Sequence, residues 1–265
     1  MKPKSTKNPD GTRYLEESET YNLTHLSPLK EFARGRLIHR DFDAHVFRWS
    51  HAAMMIHKNP KRAEASVLDV ACGPDWPQLT VMHSNGCMPG YFKGIDLRDC
   101  STTMPTSKNP DVTIEFEQVD ITKQIPQLPP SGKPWDMVVC FEVLEHMPKG
   151  SGLKLLDGLQ AVMGPNTTML FSTPVFDPNV GMADNHIYEW GYQELKDELE
   201  SRFTLENHFG TFASLKDYTH LLSPEEASVL ARLKQYYNSA LVSCIMAPLF
   251  PQASRNVLWQ LKKKP

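Results

Sequence analysis

Paired cysteines, long apolar runs and excess basic charge are all scarce in this 265-residue chain. The five cysteines (Cys72, Cys87, Cys100, Cys140, Cys244) are odd in number and form no Cys-x-x-Cys pair. That argues against a disulfide framework and a cysteine-cage zinc site, and for a reducing, cytoplasmic setting. No apolar run approaches the about 20 residues of a membrane span, so no membrane association is expected. Met1 to Thr20 is polar and lacks the apolar centre of a secretion signal. A net charge of −3 lacks the basic excess that grips duplex phosphates, so duplex DNA is not an expected partner. Lys262, Lys263 and Lys264 could touch phosphates but read as a charged, solvated tail. There is no internal repeat.

What is present centres on Val67 to Asp75. Val67 to Val70 read as a short buried strand, apolar except for Asp69. Ala71, Cys72 and Gly73 make a small-residue turn, and the residues after it, from Pro74 and Trp76 into Gln78 to Met82, can begin a helix. A strand, a turn and a helix N-terminus aim backbone N–H groups and a positive dipole end at the crest of a sheet. The stretch lacks the three glycines of a dinucleotide fingerprint, since Ala71 and Asp75 stand where glycines would. Asp69 would repel a pyrophosphate and suits a cationic or amino-bearing ligand. A buried strand followed by an ordinary turn is the plainer alternative.

The pattern along the chain alternates strands with helices. Residues 1–25 read as a flexible arm, and 26–62 as one or two amphipathic cap helices. Residues 63–265 form the main domain, including a helical insertion at 211–251 opened by Ser223-Pro224-Glu225-Glu226. Tyr91 to Leu97, Val112 to Asp120, Trp135 to Phe141, Thr167 to Ser172 and Asn256 to Leu261 are further strands, and Phe203 to Glu206 starts another. Alternation of this kind predicts an α/β fold: a Rossmann-like, doubly wound, mostly parallel seven-stranded sheet. Ligands in such sheets sit beyond the carboxyl ends of the strands. Asp69, Asp96, Asp120 and Glu142 all fall near such ends. Asp96 could take both hydroxyls of a ribose, or be a plain strand-end acid. Arg48, in the cap, is either a surface arginine or a clamp for a ligand carboxylate.

With those acids in place, the chain resembles a class I S-adenosylmethionine-dependent methyltransferase of the type 11/12 kind. The resemblance covers roughly Ser66 to Gly210, with a closing strand at Asn256 to Leu261. It rests on Leu-Asp-Val-Ala-Cys-Gly-Pro at 68–74, Gly-Ile-Asp-Leu at 94–97, Val-Asp-Ile at 119–121, Phe-Glu-Val-Leu-Glu-His at 141–146 and Phe-Ser-Thr-Pro at 171–174. The resemblance implies that Asp69 and the turn Ala71, Cys72, Gly73 and Pro74 hold the methionine part of the cofactor. It puts Asp96, beside Leu97, on the ribose hydroxyls, Asp120 and Ile121 on the adenine, and Phe141 and Glu142 on the sulfonium side. Ala71 and Asp75 depart from the family's glycines, so the turn is expected to be tighter or shifted.

A hydroxyl acceptor must also lose its proton, to a base or under a metal's influence. Glu142, Glu145 and His146 would share one face of a helical turn. His186 comes later in Asp-Asn-His-Ile-Tyr-Glu-Trp. Glu142, Glu145, His146 and His186 could enclose a divalent ion such as manganese, iron, cobalt or zinc. This pairing resembles the HEN-type RNA ribose methyltransferases, which chelate a terminal diol through a metal, and in part the ubiquinone-pathway O-methyltransferases. Alternatively, His186, His146 and Glu145 act without metal, His186 as general base, or the Glu-x-x-Glu-His run only braces the cofactor loop. No cysteine follows a proline and no Asn-Pro-Pro-Tyr type motif follows the fourth strand, which disfavours base methylation. The expected activity is O-methylation of a small or terminal hydroxyl-bearing acceptor. Methylation of a nucleotide or nucleic acid, and a non-catalytic partner subunit, are the alternatives.

Overall fold

The computed structural model describes residues 5–7, 13–15, 40–107 and 109–265. Strands β1 (Ser5–Lys7) and β2 (Arg13–Leu15) pair antiparallel. The rest of the expected arm, and the expected cap before residue 40, lie outside the described residues. Helix α1 (Arg40–Lys58) is the described part of that cap.

Seven strands make the central sheet: β3 (Ser66–Val70), β4 (Tyr91–Asp96), β5 (Thr113–Gln118), β6 (Met137–Phe141), β7 (Thr168–Pro174), β8 (Phe203–Phe212) and β9 (Asn256–Lys263). Their order is β5-β4-β3-β6-β7-β9-β8. Neighbours from β5 to β7 run parallel, and β9 is antiparallel to both β7 and β8. The chain winds outward from β3 through β4 to β5, then crosses back to β6. That reversal opens a crevice at the carboxyl ends of β3 and β6, where ligands of doubly wound sheets bind.

The sheet is covered on both faces, and successive strand residues feed opposite cores. Leu68 and Val138 join Leu155, Leu156, Leu195 and Leu199, from α3 (Lys149–Val162) and α4 (Tyr192–Arg202). Val67 and Val139 join Ala52, Ile56, Leu79 and Met82, from α1 and α2 (Pro77–Ser84). Every residue of β3 is buried, which explains its nearly continuous apolar run. Between β8 and β9 lie α5 (Leu215–Tyr218), α6 (Pro224–Tyr236) and α7 (Ser239–Met246). A reciprocal capping box joins Ser223 and Glu226 at the start of α6.

Three local expectations change. Helix α2 begins at Pro77 rather than Pro74, because Trp76 takes a left-handed φ of 47°. The helical face expected for Glu142, Glu145 and His146 is replaced by a left-handed Glu142 (φ 58°) and a short 3-10 turn over Leu144–His146. Of the three lysines near the end, only Lys264 is exposed beyond the last strand. Lys262 and Lys263 belong to β9, and Lys263 and Lys264 donate to Met163 O and Glu200 O (2.8 Å each). Cations thus meet the carbonyl ends of α3 and α4, where the helix dipole favours them.

Candidate active site

A cavity of about 550 Å³ opens at the carboxyl edge of the sheet. All the expected cofactor residues except Gly73 and Pro74 line it: Arg48, Asp69, Ala71, Cys72, Asp96, Leu97, Asp120, Ile121, Phe141 and Glu142. Leu97, Val119, Ile121 and Phe141 supply apolar wall, and Glu145, His146 and His186 line it too.

The turn after β3 owes its shape to two left-handed residues, Ala71 (φ 59°) and Gly73 (φ 66°). An alanine tolerates this region poorly, so the surrounding contacts must impose it. Cys72 N–H donates to Ile95 O (3.0 Å), and Gly73 N–H donates to Asp96 Oδ2 (3.0 Å). Gly94 permits this approach of β4, because a Cβ there would lie 2.3 Å from the Trp76 ring. Gly73 thus acts behind the cavity wall, by fixing Asp96.

Asp69 is buried, and among the described residues its Oδ2 meets no hydrogen-bond partner. Burial, then the charge of Asp96, pushes its carboxyl well above the usual carboxylate range. A buried acid in this condition awaits a cation. Asp96 accepts from the N–H of Gly73 and from Arg98. Asp120 sits past the end of β5 in its own turn, taking Thr122 N–H (3.0 Å), Thr122 Oγ1 (2.6 Å) and Lys123 Nζ (2.9 Å).

Across the cavity the polar groups form buried networks. Arg48 is 1% exposed. Its Nη1 donates to Asn256 Oδ1 (3.0 Å) and Thr211 Oγ1 (3.3 Å), and its Nη2 to His45 Nδ1 (2.6 Å). Because guanidinium only donates, His45 carries its own proton on Nε2. Glu142 lies 3.5 Å from Arg48 Nη2, and accepts from Asn256 Nδ2 (3.0 and 2.9 Å) and Ser172 Oγ (2.9 Å). Against its burial, the charge of Arg48 and the hydrogen bonds from Asn256 and Ser172 hold Glu142 below the usual carboxylate range. The Arg48 fork is therefore engaged inside the protein rather than presented to a ligand carboxylate. His45 and Asn256 line the cavity and Thr211 braces them from behind, and no local motif announced these three.

A second network follows the Glu142 turn. The Glu145 carbonyl accepts from Ile187 N–H (2.7 Å) and Tyr188 N–H (3.3 Å), pinning the later loop to the turn. Its carboxylate accepts from Thr173 Oγ1 (3.0 Å). His146 Nδ1 faces Asn185 O (3.2 Å), so that nitrogen carries the proton and Nε2 keeps its lone pair, 3.8 Å from Glu145 Oε1. His186 Nδ1 is hydrogen-bonded to Glu189 Oε1. One ligand atom from each of Glu145, His146 and His186 lies within 4.8 Å of the others. Glu142 stands outside this trio, tied to Arg48 and Asn256. Burial, then the charge of Glu142, pushes Glu145 up to about 8, with His186 opposing. Against burial, the Glu189 hydrogen bond and the charge of Glu145 raise His186.

A switch-point crevice lined by strand-end acids, apolar wall and imidazoles is the arrangement of an α/β protein that takes its ligand at the carboxyl edge of the sheet. A family model described as a methyltransferase domain matches residues 42–223. The chain belongs to that family and is a class I S-adenosylmethionine-dependent methyltransferase. No curated protein matches it by sequence. Among solved structures it is similar to a TehB-like SAM-dependent methyltransferase from Corynebacterium glutamicum, at 15% identity and TM-score 0.51 over 89% of this chain and 94% of that one. It is similar also to a Haloferax volcanii complex of the Trm112 methyltransferase activator with a putative methyltransferase (13%, TM-score 0.52, 90% and 96%). The [4+2]-cyclase SpnF shares the fold as well (14%, TM-score 0.52, 80% of each chain), so fold alone does not fix a reaction. Among the described residues no helix is long and apolar enough to cross a membrane.

Proposed function

We propose that this enzyme methylates an oxygen of a small or terminal hydroxyl-bearing acceptor. The observation that carries the reading is the trio Glu145, His146 and His186, which lines the same cavity as the unpartnered Asp69. Asp69 would receive the cofactor ammonium, with the turn Ala71 to Pro74 beside it. Asp96 would receive the ribose hydroxyls, Asp120 and Ile121 the adenine, and Phe141 and Glu142 would flank the sulfonium. S-adenosylmethionine supplies a methyl on a sulfonium, whose carbon–sulfur electron pair leaves with sulfur. The protein must therefore hold an oxygen in line with that methyl and remove its proton. Asn185 O accepts the Nδ1–H of His146, which makes Nε2 its basic nitrogen, on the side of Glu145 and the cavity. His186, backed by Glu189, adds a cation beside the developing oxyanion.

The character of the cavity supports an uncharged acceptor. Its arginines face acids: Arg48 faces Glu142, Arg98 faces Asp96, and Arg255 faces Asp177 and Asp217. Among the described residues, a phosphate on the acceptor would find these cations already matched. The odd number of cysteines without a Cys-x-x-Cys pair supports a reducing, cytoplasmic setting.

His146→Ala and His186→Ala should lower labelled-methyl transfer into fractionated extract by about 10²- to 10⁴-fold while binding of S-adenosylhomocysteine stays unchanged. Transfer at the wild-type level by His146→Ala would remove the base assignment. A second reading has its own observation: the far nitrogens of both imidazoles are fixed by Asn185 O and Glu189, as in metal-ligating histidines. Glu145, His146 and His186 would then hold a divalent ion such as manganese, which acidifies the acceptor hydroxyl. Chelation by EDTA followed by manganese repletion separates the two, since only the metal reading loses and regains transfer. A gel shift with short single strands tests nucleic acid as acceptor, and transfer into no fraction at all would favour a non-catalytic partner subunit.

A further inference from the structure

The carboxylate best placed for a ribose is covered in this structure. Asp96 is 4% exposed at its side chain, so water cannot solvate it freely. It has four donors. Two are backbone: Gly73 N–H on Oδ2 (3.0 Å) and Arg98 N–H on Oδ1 (2.9 Å). Two come from the Arg98 guanidinium: Nε on Oδ1 (3.2 Å) and Nη2 on Oδ2 (3.5 Å). The backbone pair is fixed by the turn after β3 and by the bend after β4. The side-chain pair is longer, and it comes from an arginine 32% exposed that itself lines the cavity.

We propose that Arg98 is a displaceable cover on the ribose-binding carboxylate. Its guanidinium stands where two vicinal hydroxyls would donate and yields that place when the cofactor enters. The inference rests on the cofactor reading above. The two backbone donors stay, and two hydroxyls replace two guanidinium contacts, so Asp96 keeps its full set of partners throughout. Such a cover has a physical reason. Asp69 and Asp96 lie close enough for the charge of Asp96 to raise the Asp69 carboxyl. With no ligand cation nearby, the Arg98 charge offsets that repulsion. Arg98 is therefore a positioning residue that acts through Asp96, stabilising the free enzyme and weakening cofactor binding.

The test is calorimetry and thermal melting on the full chain, with S-adenosylhomocysteine as ligand. Arg98→Gln should bind about fivefold more tightly than wild type, the size of a partly exposed ion pair, while its unliganded Tm falls. Arg98→Lys should lie between the two, because it keeps the charge but not the fork. Weaker or equal binding by Arg98→Gln overturns the inference. Should Arg98→Gln not fold, wild-type binding of methylthioadenosine decides. This ligand has the ribose hydroxyls but no amino acid charges, so raising the salt should tighten its binding by screening the Arg98–Asp96 pair. Binding that weakens with salt overturns the inference. No heat from S-adenosylhomocysteine with folded wild type overturns the cofactor reading itself, whereas normal wild-type binding with a weakened Arg98→Gln overturns only the role of Arg98.

Discussion

The two sides of the cavity are built on different principles. On the side of β3, β4 and β5, single acids stand at strand ends beside backbone donors, and among the described residues Asp69 Oδ2 meets no hydrogen-bond partner. On the side of β6, β7 and β9, polar groups are matched to one another: Arg48, Glu142, Asn256, Thr211 and Ser172 form one buried network. The first side awaits a ligand, while the second holds its own shape and sets the Glu142 turn from which Glu145 and His146 follow. A substitution on the first side should therefore disturb binding, and one on the second should disturb folding.

Arg48→Met gives the largest expected contrast. It leaves the part-buried Glu142 beside an apolar side chain, and should destabilise the fold by about 2–3 kcal/mol. Adding Glu142→Gln should recover much of the loss in denaturant titrations. A variant as stable as wild type would break the contrast from the folding side. Asp96→Ala comes next. It should weaken S-adenosylhomocysteine about a hundredfold, the effect of two hydrogen bonds to a charged acceptor, with a smaller change in Tm.

The smallest effect is in pH. Burial and Asp96 hold the folded Asp69 carboxyl above its unfolded value, so the folded state keeps a proton that the unfolded state releases. The contribution of Asp69 to the stability of the free protein thus falls as pH rises through that interval. S-adenosylhomocysteine should show the opposite trend, tightening with pH, because its ammonium favours the ionised carboxylate. Asp69→Asn should flatten both curves. A wild-type protein whose stability rises with pH to the same degree as Asp69→Asn would contradict the protonated Asp69.

The two sides also differ in how far they could be read in advance. Each acid on the first side follows an apolar strand or alternating run within one short motif, so Asp69, Asp96 and Asp120 stood out locally. The sheet was legible for the same reason, since buried strands announce themselves by composition. Helix α6 was legible from Ser223, Pro224 and Glu226. The second side joins residues far apart in sequence: Arg48 and Asn256 are 208 positions apart, and Glu142 and Asn256 are 114. No window contains such a pair, and Arg48 therefore read as a surface residue or a clamp. The helical-face reading of Glu142, Glu145 and His146 failed for a related reason. Arg48 and Asn256 hold Glu142 in a left-handed turn, which separates it from the other two. Strand β8 starts at Phe203 as the sequence suggests, and its far end at Phe212 was not legible because its polar middle lies at the sheet edge and needs no apolar alternation.

The most direct measurement is calorimetric titration of S-adenosylmethionine into folded wild type and Asp69→Asn. Binding by wild type, weakened about ten- to a hundredfold by Asp69→Asn, is the predicted result for an ammonium gripped by a buried carboxylate. No heat from wild type, or equal affinity for both proteins, would contradict the claim that this acid-lined sheet edge is where the methyl donor is held.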